Sequence, residues 1–450
     1  MSMYFALLLF IVGYAFIALE NPAKVDKSAT ALLLAAAIWI FYVFVGEDVF
    51  SFTGFTEHFA HFKAANPEKD FFDFISQQEL LRHVGAIAEI LFFLLCAMTI
   101  VETIDHYNGF SIITEKITTS NSRKLLWTLS ITTFILSAIL DNLTVTIVMC
   151  ALLRKLVANR KDRWFFAGWI VLAANIGGAW SPIGDVTTIM LWMGGQVTAP
   201  VIILKTLVPC IVALLVPLTI ISFTVKGDFE RLIVNTNDTS REIPAKIRNF
   251  VFFLGVGGLL FVPVFKTITH LPPFVGMLFS LSILWFATAR LHYKYSKNVF
   301  SCAKILGKID TSTILFFLGI LLAVAGLESM GYLAMFATGL SNAFDGNIYS
   351  LNLCIGMISA IVDNVPLVAG TIGMFPLSVY PTDHDFWIFL SYCVGAGGNI
   401  LIISSAAGVA AMGLERIDFF WYLKKITIWA LIGFFAGAGA FMLLNRFVYP

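Results

Sequence analysis

The chain has 450 residues, 59% of them hydrophobic and only 13% charged, with 43 Phe and a mean hydropathy of +0.87. A soluble domain of this length needs far more charge on its surface, so the composition specifies a polytopic membrane protein. A net charge of +1 excludes a basic face for nucleic acid, and the six Cys carry neither a CxxC nor a His cluster, so neither a zinc site nor a disulfide frame is supported.

A membrane span takes about 20 mostly apolar residues. The first candidate, 3–19, lacks the basic leader of a signal peptide and reads as a span; 29–45 follows. The loop 46–83 is mostly acidic, and it belongs outside because cytoplasmic loops collect Lys and Arg. Span 84–105 carries Glu89 one turn in. The apolar stretch 125–153 contains Ser137-Ala138-Ile139-Leu140-Asp141-Asn142 and is flanked by Lys116, Arg123 and Lys124 on one side and by Arg154 to Arg163 on the other. Both basic groups stay cytoplasmic only if the stretch enters and returns. Its halves, about 17–22 Å of helix each, are too short to span. A re-entrant hairpin with Asp141-Asn142 near its tip is expected.

Span 164–193 concentrates Asn175-Ile176-Gly177-Gly178, Ser181-Pro182 and Asp185-Val186-Thr187-Thr188 at mid-depth, the composition of a broken helix. Span 200–225 closes a first half, and the basic segment 226–247 is a cytoplasmic linker. Spans 248–266 and 272–290, a basic run from Arg290 to Lys308, and span 311–331 open the second half. Ser359-Ala360-Ile361-Val362-Asp363-Asn364 then repeats the earlier phrase 222 residues on, inside 349–380. No Lys or Arg occurs between Lys308 and Arg416, so this second hairpin is entered from outside, and Pro366 interrupts it after Asp363-Asn364. A second broken helix, 388–413, carries Gly395-Ala396-Gly397-Gly398-Asn399 and Ser404-Ser405; 419–444 is the last span.

Ile90-Leu91-Phe92-Phe93-Leu94 also returns, as Ile314-Leu315-Phe316-Phe317-Leu318, and the charge rule runs the two spans in opposite directions. The fold class is therefore an all-α polytopic membrane protein with an inverted-topology repeat. Residues 1–225 and 248–450 form the halves, with about ten spans, two re-entrant hairpins and two broken helices. Both termini are expected on the external side.

The membrane-embedded ionisable residues are Glu89, Glu102, Asp105, Asp141, Asp185, Glu328 and Asp363, and none of the candidate span interiors offers a Lys or Arg partner. Carboxylates so placed are protonated or bind a cation, and alternation between those states is ion-coupled proton exchange. Unwound carbonyls with Asn and Ser oxygens suit a hard cation, whereas helix-end amides suit an anion; the motif alone allows either. A structural role is the competing reading for several of these. Asp141, Asp363, Asn142 and Asn364 could simply cap helices. Glu89 could face water, and Glu102, Asp105 and Glu328 are interfacial. Asp185 sits beside a Gly-Pro break, and its repeat partner is Gly408.

Through residues 137–144, 175–188, 359–366 and 395–399 the sequence resembles the NhaD-type sodium/proton antiporters of the ion transporter superfamily, and the likeness covers nearly its whole length. The resemblance implies an inner-membrane antiporter exchanging cytoplasmic Na+ or Li+ for external H+, with no cofactor beyond the transported ions. It implies a scaffold part that forms a homodimer and a mobile part holding both hairpins and both broken helices, an elevator-type carrier. Na+ is expected at Asp141, Asn142, Asp363 and Asn364. Asp185, Thr187 and Ser137 carry over as polar members of the first site; Ser359, Asn399, Ser404 and Ser405 belong to the second. Thr144, Asn175, Ser181 and Glu89 complete the candidate set. Two other readings stand beside it: a sodium-coupled carboxylate or oxyanion transporter on the same fold, and a membrane subunit of an ion-pumping redox complex. An intramembrane enzyme is disfavoured, since no nucleophile–base pair or metal-ligand spacing occurs.

Overall fold

The computed structural model describes residues 4–18, 25–53, 56–114, 117, 119–225, 227–229, 243–294 and 302–448. Most of the expected linker 226–247, together with Lys116 and part of the basic run after Arg290, lies outside the described residues. The described residues form helices and no β-strand; one isolated bridge joins Asn121 and Asp228.

In chain order the main helices are α1 (Phe5–Ala18), α2 (Lys27–Thr53), α3 (Leu81–His106), α4 (Ser122–Ser137), α5 (Asn142–Leu156), α6 (Arg160–Gly178), α7 (Val186–Met193), α8 (Ala199–Ser222) and α9 (Ala245–Thr269). They continue with α10 (Pro273–Lys294), α11 (Thr311–Ser329), α12 (Tyr332–Ala343), α13 (Ile348–Ile358), α14 (Asn364–Met374), α15 (Asp385–Gly397), α16 (Ala406–Glu415) and α17 (Thr427–Phe447). Among the described residues, seven helices are long and apolar enough to cross a membrane. They are α2, the segment Phe71–His106, α8, α9, α10, α11 and α17. Their outward residues are large and apolar, as lipid requires: Leu33 is 71% exposed and Phe286 also 71%. Of the remaining expected spans, 164–193 and 388–413 are each two helices, and α1 covers 14 residues among those described.

The chain divides into two compact units, each drawing on both halves of the sequence. One comprises residues 1–92, 310–351 and 365–381. Within it α2 lies backbone to backbone on α11: a Cβ on Gly319 would sit 2.5 Å from the Ala31 carbonyl carbon, and one on Gly326 would sit 2.6 Å from Ile38 Cγ2. Trp39 Nε1 donates to the Leu322 carbonyl at 2.9 Å, which spends its one polar atom inside the contact. Glu79, buried, accepts from Ser329 Oγ at 2.8 Å and from Arg82 Nη2 at 3.2 Å, and His83 Nε2 lies 2.9 Å from the same Ser329 oxygen.

The other unit comprises residues 93–309, 352–364 and 382–450. Small residues again allow close approach. A Cβ on Gly437 would sit 2.6 Å from the Pro209 carbonyl oxygen, where α17 meets α8, and Ser280 Oγ donates to the Gly258 carbonyl at 2.9 Å, joining α10 to α9. At one end of this unit Glu415, almost fully buried, accepts from Arg154 Nε at 2.7 Å and Arg163 Nε at 3.0 Å. That bridge fastens the end of α16 to the end of α5 and the start of α6. The expectation of cation-free span interiors needs correction. Lys205 lies in the second turn of α8 and pairs with Asp385 at 2.7 Å, because Asp385 opens α15 at the same level.

Candidate functional site

The four interruptions supply the site. The first Asp-Asn stretch is α4, the break 138–141 and α5; the second is α13, the break 359–363 and α14. Each helix is about 16–24 Å long, short of a full crossing. The broken helices are α6 with α7, separated by 179–185, and α15 with α16, separated by 398–405.

The unit 93–309/352–364/382–450 joins each broken helix to the helix before an Asp-Asn phrase in the same way. Ser137 Oγ donates to the Ala174 carbonyl at 2.6 Å, and Ser359 Oγ donates to the Val394 carbonyl at 3.1 Å. Three residues beyond each acceptor stands a glycine. Gly177 lies against the Phe134 carbonyl, and Gly397 against the Gly356 carbonyl. Phe134 and Gly356 each precede the hairpin serine by three residues, so a side chain at either glycine would part the helices. Gly184 is pressed as tightly, 2.7 Å from both the Ser137 carbonyl and the Gly178 Cα if it bore a Cβ.

Asp141 has φ 74 and ψ 151, a region that L residues avoid. Strain of this kind costs on the order of 1–3 kcal/mol and persists only where the surroundings impose it. Its carboxylate caps α5, with Oδ1 accepting from Thr144 N at 2.9 Å and Oδ2 from Thr144 Oγ1 at 2.7 Å. Asp141 and Thr144 are half-buried, as is Asp363 at the corresponding place. The capping expectation is met at Asp141.

Asp185 caps α7, with Oδ1 accepting from Thr187 N at 3.1 Å. Its Oδ2 accepts from Asn142 Nδ2 at 2.8 Å, and that nitrogen also donates to Asn175 Oδ1 at 2.9 Å. Asn175 Nδ2 donates onward to Asn399 Oδ1 at 2.9 Å and to Ser405 Oγ at 2.8 Å. Five expected site residues are therefore contiguous: Asp185, Asn142, Asn175, Asn399 and Ser405, all buried. Asn364 is held separately, its Oδ1 accepting from Ser359 Oγ at 2.6 Å while Gly398 lies against its amide. Among the described residues Asn399 Nδ2 is buried without a partner.

Other expected members hold backbone instead. Ser404 Oγ donates to the Gly398 and Leu401 carbonyls, and Ser181 Oγ accepts weakly from Ile183 N at 3.4 Å. Glu89 is half-buried on α3 and belongs to the other compact unit. The counterpart of Asp185 is Ser405, not Gly408. Ser405 caps α16 by accepting from Gly408 N at 3.1 Å, as Asp185 caps α7. The repeat offset shortens from 222 at the hairpins to 220 at these caps, because the segment between hairpin and broken helix is shorter in the second half. Three anchors lay outside the sequence reading: Ser391 to the Ala179 carbonyl (2.9 Å), Tyr422 to the Asn399 carbonyl (2.9 Å) and Thr427 to the Ile400 carbonyl (2.7 Å). Each satisfies a carbonyl freed by a break, but no local motif marks them.

Fold and site together define a polytopic α-helical membrane protein whose polar centre is built at interrupted helices. The citrate transporter family model matches residues 14–395. Sodium/proton antiporter 1 of Arabidopsis thaliana is 42% identical over 98% of this chain and 72% of its own length, and sodium/proton antiporter 2 of the same plant is 39% identical over 98% and 99%. The Na(+)/H(+) antiporter NhaD of Vibrio cholerae is 29% identical over 98% of this chain and 92% of its own. The chain belongs to the citrate transporter family, and within it to the NhaD type.

Proposed function

We propose that this chain is a secondary active antiporter that exchanges Na+ or Li+ for H+ across the inner membrane, working as an elevator-type carrier. The observation that carries the reading is the environment of Asp185 and Asp141. Both sit at helix interruptions, and among the described residues their hydrogen-bond partners are neutral Asn and Thr groups. A buried carboxylate without a cationic neighbour is stable when protonated or when a cation sits on it. Cation and proton then compete for Asp141, Asp185 and Asp363, with Asn142 and Asn364 as neutral oxygen ligands. The carrier changes face only when these charges are neutralised, which couples the two fluxes. The names of the plant and bacterial relatives support Na+ and H+ as the ions.

The two hairpin–helix pairs, built alike around Ser137/Gly177 and Ser359/Gly397, support an inverted-topology repeat with halves 1–225 and 248–450. On this reading both termini face outward, the linker 226–247 is cytoplasmic, and the carrier works as a homodimer.

A second reading, sodium-coupled uptake of a carboxylate, is favoured by the description of the matching family. Dye-monitored ΔpH in everted vesicles separates the two. Antiport predicts dissipation of ΔpH by Na+ or Li+ alone, with no stimulation by citrate, and loss of the response in Asp363→Asn. A Na+ response that requires citrate, or an intact response in Asp363→Asn, refutes the proposal.

A further inference from the structure

We propose that Asn175 is a positioning residue that ties the two half-sites into one relay. Engagement of a cation at Asp185 and Asn142 then re-aims Asn399 and Ser405 in the other half. The proposal rests on the antiport reading for the identity of the ion and goes beyond it in linking the halves.

The direction of the chain follows from its first member. Asp185 accepts at both oxygens, from Thr187 N at Oδ1 and from the Asn142 NH2 group at Oδ2, 2.8 Å away, so Asn142 presents its nitrogen on this side. The same nitrogen is 2.9 Å from Asn175, which must therefore present its carbonyl oxygen. The Asn175 NH2 group is then committed to Asn399 Oδ1 at 2.9 Å and Ser405 Oγ at 2.8 Å. All five side chains belong to residues no more than 4% exposed, so bulk water offers no alternative partner. The far end is open. Asn399 Nδ2 is buried and unpaired among the described residues, while its Oδ1 is occupied.

A chain of amides fixed at one end and unsatisfied at the other has a second arrangement. A cation on the Asp185 carboxylate needs oxygen ligands, and Asn142 supplies one by turning its amide over. Asn175 now meets an oxygen where it met a nitrogen, and turns its own NH2 group toward it. Its carbonyl then faces Asn399 and Ser405, which answer with Nδ2 and the hydroxyl proton. The orphaned nitrogen of Asn399 gains a partner, and its oxygen is released to ligate or accept elsewhere in the second half. Ser405 keeps its role as the cap that accepts from Gly408 N. The reversal needs no backbone movement, only the turning of three amides and one hydroxyl. Filling the first half therefore raises the cation affinity of the second.

The test is a double-mutant cycle on the full chain, read first as Na+-dependent thermal stabilisation of purified protein and then as Na+/H+ exchange in proteoliposomes. Asn175→Ala and Ser405→Ala are each expected to weaken apparent Na+ affinity about fivefold, the loss of roughly one hydrogen bond. The double variant should be no weaker than Asn175→Ala alone, with the effect in KM for Na+ and not in kcat. Ser405→Thr keeps the hydroxyl and should restore near wild-type affinity, which a merely space-filling role would not require. If Asn175→Ala is not recovered folded, Asn175→Ser, too short to bridge both halves, takes its place. Effects that multiply to about 25-fold overturn the relay. So does a Ser405→Thr variant as weak as Ser405→Ala. Wild-type protein that binds Na+ without exchanging it refutes antiport and leaves the relay to the binding cycle. Wild-type protein without any Na+ response overturns both.

Discussion

Asp185→Asn removes a charge from the centre of the site while leaving the local fold in place. Asn caps a helix about as well as Asp, so Thr187 N keeps an acceptor and α7 keeps its start. The loss lies on the other oxygen. Asp185 serves Thr187 N with Oδ1 and Asn142 Nδ2 with Oδ2, whereas an amide has one carbonyl and cannot serve both. One buried donor is left unpaired unless Asn142 turns its carbonyl to the new NH2 group, so the stability cost is at most about 1–3 kcal/mol. For transport the charge matters more. A contact to a charged group contributes roughly 1.5–3 kcal/mol, which is about 10- to 150-fold in Na+ KM at 1.4 kcal/mol per tenfold. Titrating NaCl against a preformed ΔpH in everted vesicles measures that KM directly, with thermal melting of the purified protein as the check on folding. A folded variant with a KM within about threefold of wild type would refute the assignment of Asp185 to the cation site.

Gly177→Ala places a methyl group on the Phe134 carbonyl and should destabilise by about 1–3 kcal/mol, lowering exchange with it, whereas Gly257→Ala meets nothing within 4 Å and should be neutral or slightly stabilising. Equal melting temperatures for the two variants would show that the α4–α6 contact is looser than described. Glu415→Gln strips the charge shared by Arg154 and Arg163. Breaking a buried pair from one side costs about 3–5 kcal/mol, and the low end applies because the Arg154 side chain is 46% exposed. The melting temperature of detergent-purified protein should fall well below wild type, and an unchanged value would mean that the bridge contributes nothing.

Much of the architecture is legible in the sequence because membrane physics writes it locally. An apolar run longer than the bilayer core becomes α8 or α17, and Gly, Pro and Asn packed into mid-span become the breaks at 179–185 and 398–405. The Asp-Asn phrases likewise fall at interruptions, since a polar pair in an apolar run needs a place where backbone is already exposed. The pairings inside the site are not legible in this way. Asn175 meets Asn399 across 224 positions, and Arg154 meets Glu415 across 261. The basic cluster 154–163 therefore reads in sequence as a marker of sidedness, while in the structure two of its arginines hold α16 in place. Lys205 escapes for the opposite reason: a single Lys near a span end carries no pattern, and its partner Asp385 is equally unremarked until the two helix ends are side by side.

The correction from Gly408 to Ser405 alters what the repeat means. At one structural position, the cap of the second helix fragment, the first half has a carboxylate and the second a hydroxyl. In the first half Asp185 puts a negative charge on the positive end of α7, which disfavours an anion there. In the second half neutral Ser405 leaves the end of α16 uncompensated, and Asn399 keeps an amide donor unspent beside it. Two sites of equal chemistry would need two such carboxylates. On the relay proposal a single cap carboxylate, Asp185, is joined through Asn142 and Asn175 to the neutral cap Ser405, so the charge at one cap sets the hydrogen bonding at both.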